Sequence, residues 1–410
     1  MIRKLSVIGI VIWIVLVAWP AVAQQKIIQV ETQTTRDQHS TTVLYKKILD
    51  DKSVYPEWSL NGVDCMSTKE GLVISGKNNV IQLNKYYSLG ERLVRYQVKF
   101  SPDAKAVFQS SAGDLKFVVD VPKQTVHIAS NPAIWRRMVI NPDNDYLVEI
   151  QRNYQRTIIS LINLLTGEQH DIEVNSDGSG GVGVGAVSEE KYMLHHWDYY
   201  CLGLLEGSSV TIKQVIVQAL ETDLKLLIYG DSQTQPEGYF PAKDFHLAWT
   251  QLIMQRVKGN AISSGRGGCT IQEVLERIKN ELPYLKPKYV MVTIGTNGGN
   301  TEENLSELVE YIIAQGAIPI LNNIPANERG GHLQHNPLIE KIRKKYSING
   351  CRFDIATSMN REAKEVDKST MWHEDYTAIN NWGHIFHHPN VKGSRLMFLQ
   401  TLIDIPEIYE

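Results

Sequence analysis

Cysteine is scarce in this chain: 410 residues carry four, Cys65, Cys201, Cys269 and Cys351. Their wide spacing excludes a compact zinc motif, and so thin a supply excludes a small fold built on disulfides. Four cysteines allow three pairings. A division of the chain near residue 222 favours Cys65 with Cys201 and Cys269 with Cys351, and four unpaired buried thiols are an equal alternative. Surplus positive charge is also missing, since 42 Lys and Arg face 45 Asp and Glu for a net charge of −3. Without a basic stripe there is no counterion-release energy to hold nucleic acid, which is excluded as a partner. Past the first two dozen residues no apolar run is long enough to cross a bilayer.

What is present begins with MIRK, the apolar LSVIGIVIWIVLVAWP and Ala21-Val22-Ala23. A basic start, an apolar stretch and an Ala-x-Ala site predict a signal peptide over residues 1–23, with an uncleaved anchor as the alternative. No cysteine at the boundary offers a lipid attachment point. The expectation is a soluble secreted or periplasmic protein with no stable membrane insertion once the leader is gone. Losing Arg3 and Lys4 moves the net charge to about −5. The remainder is long enough for two ordinary domains.

Two patterns divide that remainder. Residues 24–222 are rich in short β-branched and aromatic runs, such as RLVRYQVKF, DLKFVVDV, TIISLINLL and VTIKQVIVQAL, separated by turn signals. They predict an all-β sandwich of jelly-roll type. The glycine-rich SDGSGGVGVG at 176–185 lacks the lysine of a phosphate cradle and reads as a loop. From residue 223 the apolar LKLLIYG, KYVMVTIG and AIPILNNI alternate with helical stretches at 243–259, 269–282, 301–315, 336–346 and 394–403, with CRFDIA continuing the alternation. That order predicts an α/β domain over 223–410, with a mostly parallel sheet in three α/β/α layers. Ligands of such sheets sit beyond the C-terminal strand ends.

Four short motifs fall at corresponding ends: Gly230-Asp231-Ser232, Gly265-Arg266-Gly267-Gly268-Cys269-Thr270, Gly295-Thr296-Asn297-Gly298 and His388-Pro389-Asn390. In this set and order, residues 223–410 resemble the SGNH or GDSL hydrolase superfamily, esterases and acyl-hydrolases on a flavodoxin-like three-layer fold. The resemblance implies Ser232 as nucleophile, Gly268 and Asn297 as oxyanion donors with the Ser232 N–H, and His388 as base. It departs from the family twice. Gly298 stands where many members carry Asp, and Ile385 occupies the position three before the histidine where an acid normally orients the ring.

The chemistry of these roles is independent of the resemblance. A serine hydroxyl needs a base within reach to take its proton as it attacks a carbonyl, and the developing oxyanion needs preorganised donors. With Ile385 in the acid's place, either a backbone carbonyl orients His388 in a Ser-His dyad or an acid comes from nearby, Glu374 or Asp375, of which Asp375 is favoured. His373, His384, His387 and His388 share what reads as one loop, without a spacing that defines a metal geometry, and no metal or cofactor is expected. Arg266 reads equally as a contact for an acidic substrate and as a surface residue.

The polar and aromatic passage QTQPEGYFPAKDF after Ser232, with Trp372 and Trp382, offers a rim over a pocket. An export leader and an attached sandwich favour a glycan ester over a membrane lipid, and removal of a short acyl group, acetyl first. The competing readings are a glycan-binding protein without catalysis, and a lipase or thioesterase. Trp58, Trp135 and Trp197 of the sandwich read individually as core or interface residues.

Overall fold

A computed structural model describes residues 41–410 except 61, 111–115, 130, 176–199, 239, 242 and 376–383. The leader, the glycine-rich loop, Trp197 and Trp382 therefore lie outside the described residues.

The first half is two antiparallel sheets. One runs Gln169–Asn175, Arg156–Asn163, Tyr146–Asn153, Glu91–Phe100, Ser209–Ala219, Gly71–Ser75, Cys65–Thr68, with Thr42–Ile48 also paired to Ser209–Ala219. The other runs Asn131–Arg137, Thr125–Ile128, Lys116–Asp120, Lys105–Ser110, Tyr200–Glu206, Asn79–Leu83, Trp58–Ser59. Alternate side chains point inward from each, so Tyr96 of one sheet meets Phe108 of the other with ring centroids 5.3 Å apart. Trp58 is buried in this core, whereas Trp135 is half exposed.

The second half has a four-stranded parallel sheet ordered Asn260–Gly265, Leu224–Gly230, Tyr289–Thr293, Ile318–Leu321. Strand alternation sorts its side chains onto two faces. Leu227 and Tyr229 join Ile271, Val274 and Ile278 of the helix Ile271–Leu285 and Leu305 and Leu308 of Glu302–Ala314. Leu226 and Ile228 join Trp249 and Ile253 of Trp249–Arg256 and Met397 of Val391–Asp404. The sheet is covered by helices on both sides because each strand is apolar on both faces.

Three sequence expectations are corrected here. CRFDIA does not continue the strand series: Phe353–Thr357 is a short helix, and the sheet is extended there only by a bridge from Ile320 to Asn349. The histidine-bearing stretch is no simple loop, since Met371–Asp375 and His384–Pro389 pair as antiparallel strands. All four cysteines carry free thiols, three of them buried, which removes the two suggested disulfides. Cys65 and Cys201 belong to different sheets, and Cys351 packs in an apolar cluster that does not include Cys269.

Candidate active site

The strand Leu224–Gly230 delivers Ser232 to the sheet's C-terminal edge through a tight turn. At Asp231 the side chain accepts a hydrogen bond from the Gln233 N–H at 3.0 Å, starting a single 3₁₀ turn over Ser232–Thr234. A Cβ on Gly230 would come 2.0 Å from Thr234 Oγ1 and 2.5 Å from the Thr293 carbonyl oxygen, so only glycine lets the turn fold back this closely. The Trp249 indole N–H donates to the Gln233 carbonyl at 2.8 Å and anchors the turn from the helix side.

The neighbouring strand ends in the second motif, held against the same turn. Arg266 N–H donates to the Gly230 carbonyl at 3.1 Å and Gly267 N–H to Gln235 Oε1 at 2.6 Å. Gly268 follows in the left-handed region at φ +76°, exposed, where an L side chain is strained. Asn297 sits after Tyr289–Thr293 and its Nδ2 donates to the Cys269 carbonyl at 3.0 Å, which ties the third motif to the second. Asn297 is half-buried.

His388 lies near the end of the strand His384–Pro389, which packs on the Ser232 turn. It is 1% exposed, and Ser232 is 3% exposed. Both line one small cavity with Gln233, Gln235, Pro236, Phe240, Ala248, Trp249 and Pro389. The enclosed space is about that of a single water molecule. Phe240, from the passage expected to form a rim, meets Trp372 edge-on at 5.8 Å.

Electrostatically the floor is dry. Burial raises the Asp231 carboxyl, opposed by the Gln233 N–H and then by the charge of His388. Burial holds His387 well below the usual histidine value, helped by the neighbouring charges of His388 and Arg329. The His387 and His388 rings are 4.1 Å apart between centroids, so the first stays neutral beside the second.

Of the residues singled out from sequence, Ser232 and His388 both line the cavity, while Asn297 is tied to the loop that carries Gly268. Asp375 and Glu374 form ladder pairs with His384 and Ile385, and their side chains lie outside the described residues, as does that of His384. Among the described residues no cluster of three metal-ligating side chains occurs. Arg266 is not a surface residue: it is 1% exposed, and its charge acts on Glu237. Sequence reasoning missed Asp231, Gln235 and Glu237 as parts of the scaffold. Their signal was present in the unusually polar stretch after a buried strand, where polar side chains are kept only if they bond the backbone.

No family model and no curated protein matches the chain. Solved structures similar in part include a mutant acetyl-xylooligosaccharide esterase from Geobacillus, 17% identical, with 46% of this chain and 94% of that one aligned at a TM-score of 0.34. A GDSL-like lipase from Bacteroides thetaiotaomicron is 16% identical over 43% and 84%, at 0.32. A carbohydrate-binding module from Bacillus subtilis is 10% identical over 42% and 100%, at 0.30.

Proposed function

We propose that the chain is a serine ester hydrolase that removes short acyl groups, acetyl first, from carbohydrate. The observation that carries this reading is the shared cavity: Ser232 and His388, far apart in sequence, line one small cavity at the C-terminal edge of a parallel sheet. His388 takes the Ser232 proton as Oγ attacks the ester carbonyl. The oxyanion is met by the N–H groups of Ser232 and Gly268 and by the second N–H of the Asn297 amide, whose first is fixed on Cys269. His388 then protonates the departing alcohol, and water, activated by the same imidazole, releases the acid from Ser232. The His388 ring is oriented either by a backbone carbonyl in a Ser-His dyad or by Asp375, whose ladder partner His384 lies four residues along the strand from His388.

The leader reading places the enzyme outside the cytoplasm, where glycan esters are accessible. The test is acetate release from acetylated sugars and turnover of short p-nitrophenyl esters by wild type, Ser232→Ala, His388→Ala and Asp375→Asn. The first two variants are expected to lose at least a thousandfold in kcat with unchanged thermal midpoints. Asp375→Asn is expected to lose activity without losing fold where Asp375 orients the ring, and to keep it where a backbone carbonyl does. Wild type inert on every ester, with glycan binding intact in Ser232→Ala, would replace the enzyme by a binding protein.

A further inference from the structure

We propose that the β-sandwich is a working part of the pocket, and that Arg152 and Gln155 are positioning residues that hold the cavity wall formed by Gln235, Pro236 and Phe240. This rests on the esterase reading for its kinetic consequence, though the contacts stand without it. Arg152 closes the strand Tyr146–Asn153, and its guanidinium donates through Nε to the Tyr154 carbonyl at 3.1 Å and through Nη2 to Glu237 Oε1 at 2.9 Å. Gln155 Nε2 donates to the Phe240 carbonyl at 2.6 Å. Both side chains are at least nine-tenths buried, as is Glu237.

What these two contacts grip is the cavity wall. Pro236–Gly238 forms a 3₁₀ turn, Phe240 N–H closes back on the Pro236 carbonyl at 2.9 Å, and Gln235, Pro236 and Phe240 line the space beside Ser232. Gln235 also receives the Gly267 N–H, so any shift of the 235–240 segment moves the loop bearing Gly268. Tyr154 adds a second brace, its hydroxyl accepting the Ser263 N–H at 3.1 Å in the strand leading to that loop. A short segment with a single 3₁₀ turn has little stability of its own, and the buried ion pair supplies a fixed geometry where hydrophobic packing alone would permit several. A misplacement near 1 Å at such a site costs roughly a hundredfold in rate.

The experiment uses the full chain with Gln155→Ala, Arg152→Met and the charge-balanced pair Arg152→Met with Glu237→Gln, the last avoiding an unpaired buried carboxylate. Two readouts are taken: kcat and KM on a short p-nitrophenyl ester, and hydrogen exchange of peptides spanning 233–241 against the strands Glu91–Phe100 and Tyr289–Thr293. The expected result is a fall in kcat of about 10- to 100-fold, larger than any rise in KM, with faster exchange confined to 233–241. The kcat and KM split separates positioning from weaker substrate capture. A kcat within twofold of wild type in both Gln155→Ala and the balanced pair overturns the proposal, and so does exchange that rises uniformly along the chain. If wild type hydrolyses no ester, the enzyme reading fails, and local exchange at 233–241 still decides whether the sandwich holds this wall.

Discussion

Gly265 shows how much of the candidate site is decided by single atoms. A Cβ there would lie 2.3 Å from the Thr234 carbonyl carbon, 2.4 Å from its oxygen and 2.5 Å from Gln235 N, all backbone atoms with no room to give. Gly265→Ala must therefore separate the Ser232 turn from the Gly268 loop. The expected outcome is a loss of about 2–4 kcal/mol in stability, read from denaturant midpoints, with kcat reduced more than tenfold in whatever folds. Gly268 differs in kind: open space surrounds its Cβ position, so its glycine is required by φ alone. From sequence both are simply glycines in one loop. That Gly265 is the sterically intolerant one depends on the Ser232–Thr234 turn, which comes earlier in the chain, and no local pattern records that approach.

At the scale of elements, the helix Val391–Asp404 illustrates how a motif residue serves structure as well as register. Asn390 caps it by accepting the Gly393 N–H at 3.0 Å through Oδ1, while Nδ2 donates to the carbonyls of Ser369 and Met371, both at 3.0 Å. One side chain thus joins the last helix to the base of the hairpin that presents His388. Asn390→Ala is expected to lower stability by about 1–2 kcal/mol in thermal or denaturant unfolding. Because His388 lies two residues away, kcat should fall as well, with KM little changed. The strands LKLLIYG and KYVMVTIG and the helices around 271–285 and 302–314 are visible in sequence because burial on two faces, or along one stripe, leaves a periodic record. The hairpin is not visible: MWHED and HIFHHP are short, mixed in polarity and separated by an intervening stretch, so period-two alternation is lost. CRFDIA fails for the opposite reason, since six residues of apolar pattern fit a turn of helix as well as a strand.

Across the whole molecule the halves are not separate beads. One continuous apolar cluster runs from both sheets of the sandwich through Tyr87 and Leu89 to Ile271, Val274 and Leu305 of the second half. Polar contacts seal it: Ser88 N–H donates to Glu281 Oε1 at 3.0 Å, Tyr229 hydroxyl to Glu281 Oε2 at 2.6 Å, and Arg277 to Ser88 Oγ at 2.5 Å and to the Gly230 carbonyl at 3.0 Å. Burial pushes Glu281 up to about 7, against the pull of Tyr229 and Arg277, and burial pushes Glu91 up to about 7 as well. A carboxyl raised on folding stabilises fully below its unfolded value near 4.5, and that contribution is lost as pH climbs through 7. Buried His332, His335 and His387, all lowered, act in the opposite sense, so the informative quantity is a difference. Glu281→Gln, neutral at every pH, should gain on wild type by an amount of order 1–3 kcal/mol between pH 5 and pH 8, measured by denaturant midpoints at each pH. A constant difference across that range would mean that Glu281 does not titrate there.

By itself the sequence determined the change of period near residue 222, the strands and longer helices on either side of it, and the four short motifs with their order along the chain. These are local properties: periodicity follows from which face of an element is buried, and turn residues follow from backbone φ. Tertiary structure alone decided that Ser232 and His388 share a cavity, that Arg266 and three of the four thiols are buried, and that Arg152 and Gln155 of the sandwich reach the wall of that cavity. Those are meetings between residues far apart in the chain. They depend on the register and approach of packed layers, which leave no spacing in the sequence to read.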